Sequence, residues 1–173
     1  MKFIHYLYMI FSVGAVLTLT GCGAVQKVGN TTIDVTKAVF VWDVKTLHVD
    51  FTARSELNLD DDFLPTSVVV RIYQLKDNTS FKTATYPSLV DNDVEILGNS
   101  LLATKEVILK PKSSLSLDIP LEENTKFIGM IALYKEPDLN QDNWRLLLKR
   151  GDLNIMKAKQ IEVSQYQLIL LDD

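Results

Sequence analysis

Cysteine is nearly absent from this 173-residue chain: Cys22 stands alone. A single thiol cannot close an internal disulfide, and it excludes Cys-rich zinc and iron–sulfur frameworks. Histidine is almost as scarce, with only His5 and His48. Basic residues are in the minority, 18 Lys and Arg against 22 Asp and Glu, for a net charge of -4. Without a basic block the chain is a poor general binder of nucleic acid. Seven Gly and five Pro give no collagen-like or low-complexity signal. No GxSxG, HExxH or glycine-rich phosphate loop occurs, so no catalytic residue, metal site or bound cofactor is expected. What remains is 47% hydrophobic and 23% charged, enough for one domain with its own core.

The first 21 residues read as a targeting segment. Lys2 gives a short positive start, and Phe3 to Leu19 is apolar apart from His5, Ser12 and Thr18. Such a run is short for a membrane span and sits where a signal peptide sits. It closes on Leu19-Thr20-Gly21-Cys22. A transmembrane anchor with a chance Cys and a secreted chain without lipid are the alternatives. The four residues resemble the bacterial lipobox. In such signals the Cys takes a diacylglyceryl group, the peptide is cut before it and the new amine is acylated. The resemblance implies a signal peptide over 1–21 and lipid on Cys22. Gly23, in place of Asp, implies sorting to the outer membrane, with the folded part facing the periplasm. Residues 22–45 then form a lipidated tether and N-terminal segment, within which Thr31 to Trp42 suits either a strand or a helix.

From residue 46 the pattern is mostly of period two. Leu47, Val49 and Phe51 alternate with His48, Asp50 and Thr52, and Leu115, Leu117 and Ile119 alternate with Ser114, Ser116 and Asp118. Ser67 to Leu75 (SVVVRIYQL) and Phe127 to Tyr134 (FIGMIALY) read as core strands, the second covered on both faces. Lys105 to Leu109, Trp144 to Leu148, Ile161 with Val163, and Tyr166 to Leu171 complete seven or eight strands. Leu109-Lys110-Pro111 before the second alternation predicts a hairpin. Residues 77–103 instead repeat their apolar positions at three and four, through Leu101 and Leu102, with Pro87 suited to the first turn of a second short helix. The sum predicts an antiparallel two-sheet β-sandwich over 46–173 with a small helical insertion.

Candidate functional residues are few. His48 reads as a rim residue on the outer face of a strand, and Tyr73, Phe127 and Tyr134 as core. Arg54 to Thr66 is the best interface candidate, a long polar loop directly after a strand. Leu57, Leu59 and Phe63 are its apolar tips, set among Asn58, Asp60, Asp61 and Asp62. Three adjacent acids lack the alternation and glycine of a calcium loop, so the competing reading is a merely solvated connection.

The run Pro65-Thr66-Ser67-Val68-Val69-Val70-Arg71-Ile72-Tyr73-Gln74-Leu75, followed by Phe81, strongly resembles the TssJ (SciN-like) lipoproteins of type VI secretion. In the same order come Leu109-Lys110-Pro111, then Phe127-Ile128-Gly129-Met130-Ile131-Ala132, then Trp144-Arg145. Lys112 departs from the pattern, since Gly is usual there. The resemblance implies a transthyretin-like sandwich anchored by lipid in the outer membrane. It implies binding to the periplasmic C-terminal domain of a TssM-type inner-membrane subunit, with a TssL-type subunit held indirectly. It also implies that the loop between the first two core strands, Ala53 to Ser67 here, takes part in that contact. On this reading Leu57, Leu59 and Phe63 supply the apolar part, and Asn58 and Asp60 to Asp62 the polar part. The alternative function is a periplasm-facing lipoprotein for a small ligand or glycan, which needs an aromatic-lined concavity.

Overall fold

The computed structural model describes residues 44–171. The signal segment, Cys22 and the ambiguous stretch 31–42 lie outside the described residues. Eight strands form: β1 (Thr46–Ala53), β2 (Val68–Leu75), β3 (Leu101–Leu109), β4 (Ser114–Pro120), β5 (Phe127–Leu133), β6 (Arg145–Lys149), β7 (Lys159–Val163) and β8 (Leu168–Leu170). They pack as two four-stranded sheets, ordered β4-β1-β7-β8 and β3-β2-β5-β6. Pairing is antiparallel except between β1 and β7, which run parallel.

Alternation explains which side chains meet between the sheets. In β1, Leu47, Val49, Phe51 and Ala53 are buried while the residues between them reach solvent. β2 and β5 are buried along nearly their whole length, because their second face is covered by the helical insertion. That insertion comprises α1 (Thr79–Thr83) and α2 (Tyr86–Leu97), the latter with Pro87 in its first turn as expected. A 3-10 turn, Gly98–Ser100, then leads into β3.

Gly129 shows why the apolar run of β5 needs a glycine. The Phe81 ring of α1 packs so close to it that an added Cβ would stand 2.7 Å from a ring carbon. Phe81 is also edge-on to Tyr73 at 6.1 Å. Gly129→Ala is therefore expected to cost about 1–3 kcal/mol through overpacking, read as a lowered denaturant midpoint with an unchanged slope.

Arginines fasten the insertion to the sheet. Arg145 donates to the carbonyls of Phe81 (2.7 Å), Ala84 (2.9 Å) and Lys82 (2.9 Å), pairs with Asp142, and stacks 4.9 Å from the Trp144 ring. These carbonyls belong to the C-terminal turn of a five-residue helix, which has no other way to satisfy them internally. Arg71 does the same for α2, bonding the Leu89 carbonyl at 3.1 Å, Asp93 at 3.0 Å and Glu106 at 2.6 Å. The Trp-Arg pair singled out in the sequence is thus a structural clamp, with Trp144 only 2% exposed.

Two expectations are corrected. Leu109-Lys110-Pro111 does not open a hairpin: β3 pairs with β2 and β4 with β1, so the turn passes between sheets. Alternation looks the same in a hairpin and in such an arch, and only the partner strands distinguish them. Lys112 in this turn has φ 60°, the left-handed conformation that Gly takes without strain. Leu101 and Leu102 belong to β3 rather than to a helix, because Gly98 at φ 48°, ψ -131° ends the helical path. His48 meets Asp118 across the β1–β4 pair on the outer face, as befits a rim residue.

Candidate functional site

The loop after β1 is held at its base and open at its tip. Leu57 is fully buried, and Asn58 is 5% exposed with φ 42°. The Asn58 amide donates to Thr66 Oγ1 (3.0 Å) and to the Ser67 carbonyl (2.9 Å), while its Oδ1 accepts the Lys135 N–H (2.9 Å). Leu59 bridges Pro65 in a short antiparallel contact. Asp60 Oδ1 then accepts the N–H groups of Asp62 (3.1 Å) and Leu64 (2.8 Å), an Asx-type turn that folds the tip back on itself. Asp61, Asp62, Phe63 and Leu64 are left in solvent, Phe63 at 80% and Leu64 at 59% exposure.

This placement divides the expected contact residues. Leu57 and Asn58 are not at the surface: one fills the core and the other spends its amide on the loop's own backbone. Leu59 and Asp60 are half-buried, and Asp61, Asp62 and Phe63 are exposed. Leu64 belongs with them and went unsingled in the sequence. Its neighbour Pro65 is held to Leu59 by the bridge, and that pairing turns Leu64 outward; no local pattern announces it.

Two further loops share this end of the sandwich. The Lys135–Asn58 bond joins the β5–β6 loop to the β1–β2 loop. Tyr134 donates its hydroxyl to the Gln167 carbonyl (2.8 Å), and the Leu168 N–H reaches the Asn143 carbonyl (2.8 Å), joining it to the β7–β8 turn. Between the three loops lies an open cleft of about 350 Å³, lined by Asn58, Leu59, Asp60, Phe63, Glu136, Pro137, Asp138, Gln165 and Tyr166. Val44, by contrast, enters β1 at the opposite end, where the Arg150 guanidinium holds its carbonyl (2.9 Å). An eight-residue strand spans roughly 26 Å, so the N-terminal connection and the loop tip are separated by the length of the sandwich.

Three tyrosine hydroxyls are shifted by their surroundings. Burial pushes the Tyr86 hydroxyl, which donates to the Tyr134 carbonyl at 2.6 Å, up to about 12. Burial raises Tyr134 and Tyr73 further. A phenol raised in the folded state stabilises fully below its unfolded value near 10, and that contribution is lost as pH rises through the folded value. The melting temperature is therefore expected to be insensitive to these groups up to about pH 9 and to fall steeply above pH 10, with phenolate absorbance appearing together with unfolding. Phenolate absorbance completed at pH 10 in a folded protein would contradict this.

Among the described residues no group of three or more His, Cys, Asp or Glu is placed to hold a metal ion, and no helix is long and apolar enough to cross a membrane. Residues 45–167 match the family model T6SS-SciN, described as type VI secretion lipoprotein (VasD, EvfM, TssJ). The chain belongs to this family. A solved chain from a "Type VI membrane complex" is 45% identical, with a TM-score of 0.71, and covers 75% of this chain and 99% of that one. A chain in a structure described as "T6SS protein TssM C-terminal domain (869-1107) from EAEC" is 42% identical, with a TM-score of 0.69, 75% of this chain and 100% of that one being covered. The lipoprotein TssJ1 from Pseudomonas aeruginosa, at 24% identity and a TM-score of 0.62 over 75% of this chain and 98% of its own, shares the fold. No curated protein sequence matches the chain. It is thus a lipoprotein of the type VI secretion membrane complex, located in the outer membrane and facing the periplasm.

Proposed function

We propose that this lipoprotein ties the secretion complex to the outer membrane by gripping a TssM-type inner-membrane subunit. Lipid on Cys22 holds the leaflet, residues 22–45 act as the tether, and the folded domain over 46–173 binds that subunit's periplasmic C-terminal domain. A TssL-type subunit is held indirectly. The observation that carries this reading is the loop tip itself. Phe63 and Leu64 stand exposed on a base fixed by Asn58, and exposed apolar groups on a preorganised loop are suited to burial against a protein. Asp61 and Asp62 beside them supply charge for steering toward a basic surface. The presence of a 42%-identical chain in a structure described by a TssM C-terminal domain supports the same partner.

The test is binding of the full chain, solubilised in detergent, to the purified periplasmic domain of the TssM-type subunit from the same cell. Saturable binding is expected. A folded wild-type protein that fails to bind would sink the reading. Cys22→Ser is expected to leave this affinity unchanged while releasing the protein from the outer membrane and abolishing secretion. Stacked acyl chains provide the anchor, at about 0.8 kcal/mol per buried methylene.

A further inference from the structure

We propose that the cleft between the three loops receives an arginine side chain of the same partner, a reading that rests on the docking role of the loop tip. Its walls are built for a planar cation. Phe63 and Tyr166, 80% and 39% exposed, line it with aromatic side chains, together with the apolar Leu59 and Pro137. Ring faces attract cations, and a guanidinium can lie flat on them while its edge donates to carboxylates.

The charge in the cleft has one sign. Asp60, Glu136 and Asp138 line it, and none of its nine lining residues is basic. Arg54 lines the adjoining cleft on the other side of Tyr166, but it is paired with Glu162 at 2.9 Å. Asp60 and Asp138 each spend one oxygen on neighbouring backbone N–H groups. Glu136, the third acid of the lining, is exposed. Carboxylates from two different loops therefore converge on a space of about 350 Å³, room for one long side chain and the backbone that carries it.

The cleft is also preformed. Its loops are joined by the Lys135–Asn58 and Tyr134–Gln167 bonds, so little ordering is needed when a side chain enters. Because the cleft is open, the entering cation keeps part of its hydration, and the attraction is not cancelled by desolvation. An ammonium would gain the charge but not the stacking, which is why arginine is favoured over lysine.

The experiment measures affinity of the detergent-solubilised full chain for the purified TssM-type periplasmic domain at several salt concentrations. The variants are Glu136→Gln with Asp138→Asn, Tyr166→Ala, Tyr166→Phe and, away from the cleft, Leu64→Asp. Circular dichroism and melting confirm that each is folded. The double amide variant is expected to weaken binding about tenfold and to flatten the salt dependence. Tyr166→Ala is expected to lose about five- to tenfold and Tyr166→Phe to stay near wild type, since the ring face does the work. Wild-type affinity and salt slope in both the amide variant and Tyr166→Ala, with Leu64→Asp still weakened, would overturn the cleft and leave the tip contact standing. Loss in the cleft variants with Leu64→Asp unaffected would retain the cleft and remove the tip. No binding by the wild type would remove both.

Discussion

Phe63→Asp combined with Leu64→Asp is expected to weaken binding to the TssM-type periplasmic domain by about a hundredfold or more, with an almost unchanged melting temperature. Both side chains are largely in solvent in the free protein, so the fold loses little by their removal. Phe63 even sits at φ 60°, a conformation that Asp tolerates better than an aromatic residue. In the complex the balance reverses. Two apolar groups worth about 1.5–3 kcal/mol each on full burial are replaced by carboxylates that must be desolvated beside Asp61 and Asp62. Titration by interferometry, with melting followed by circular dichroism, checks both halves. An affinity within threefold of wild type would show that the tip is not the contact.

The second large effect lies two turns of the same loop away and has the opposite character. Leu57→Ala is expected to destabilise the protein by about 2–5 kcal/mol, lowering the melting temperature by roughly 10 °C, because it empties a fully enclosed site. Partner affinity, measured below the melting transition, is expected to fall far less than in the tip variant. Leu57 acts only by fixing where β1 ends and the loop base begins, and the Asn58 bonds to Thr66, Ser67 and Lys135 remain to hold the tip. A melting temperature within 2 °C of wild type would refute the core placement. The two variants together separate the loop into a foundation and a contact surface.

The loop's existence was legible because it breaks a period-two pattern with Ser, Asn, three Asp and Pro between two clear strands. Its interior was not. Leu57 and Phe63 are both apolar residues among polar neighbours, and one points into the core while the other points to solvent. What separates them is Asn58. Its left-handed backbone and three side-chain hydrogen bonds fix the base of the loop below the turn at Asp60, and those partners lie eight, nine and 77 residues away. Distant hydrogen-bond partners leave no trace in a local window. The same limit hid Glu136, Asp138 and Tyr166, each unremarkable in its own segment until three loops meet at one end.

Residue pattern alone determined the strand content, the helical insertion near Pro87, the isolated β1–β2 loop and, by its string of motifs, the secretion-lipoprotein family. These depend on side-chain periodicity and on the backbone limits of Pro and Gly, which act within a few residues. Tertiary structure alone decided which strands pair, including the parallel β1–β7 contact and the β3–β4 passage between sheets. It decided that Arg145 clamps the carbonyls of α1 and that Gly129 makes room for Phe81. It also decided which of the loop's apolar residues are free to bind. Alternation records that one face of a strand is buried, but the identity of the covering surface is a long-range choice, set by packing and by hydrogen bonds between residues far apart in the chain.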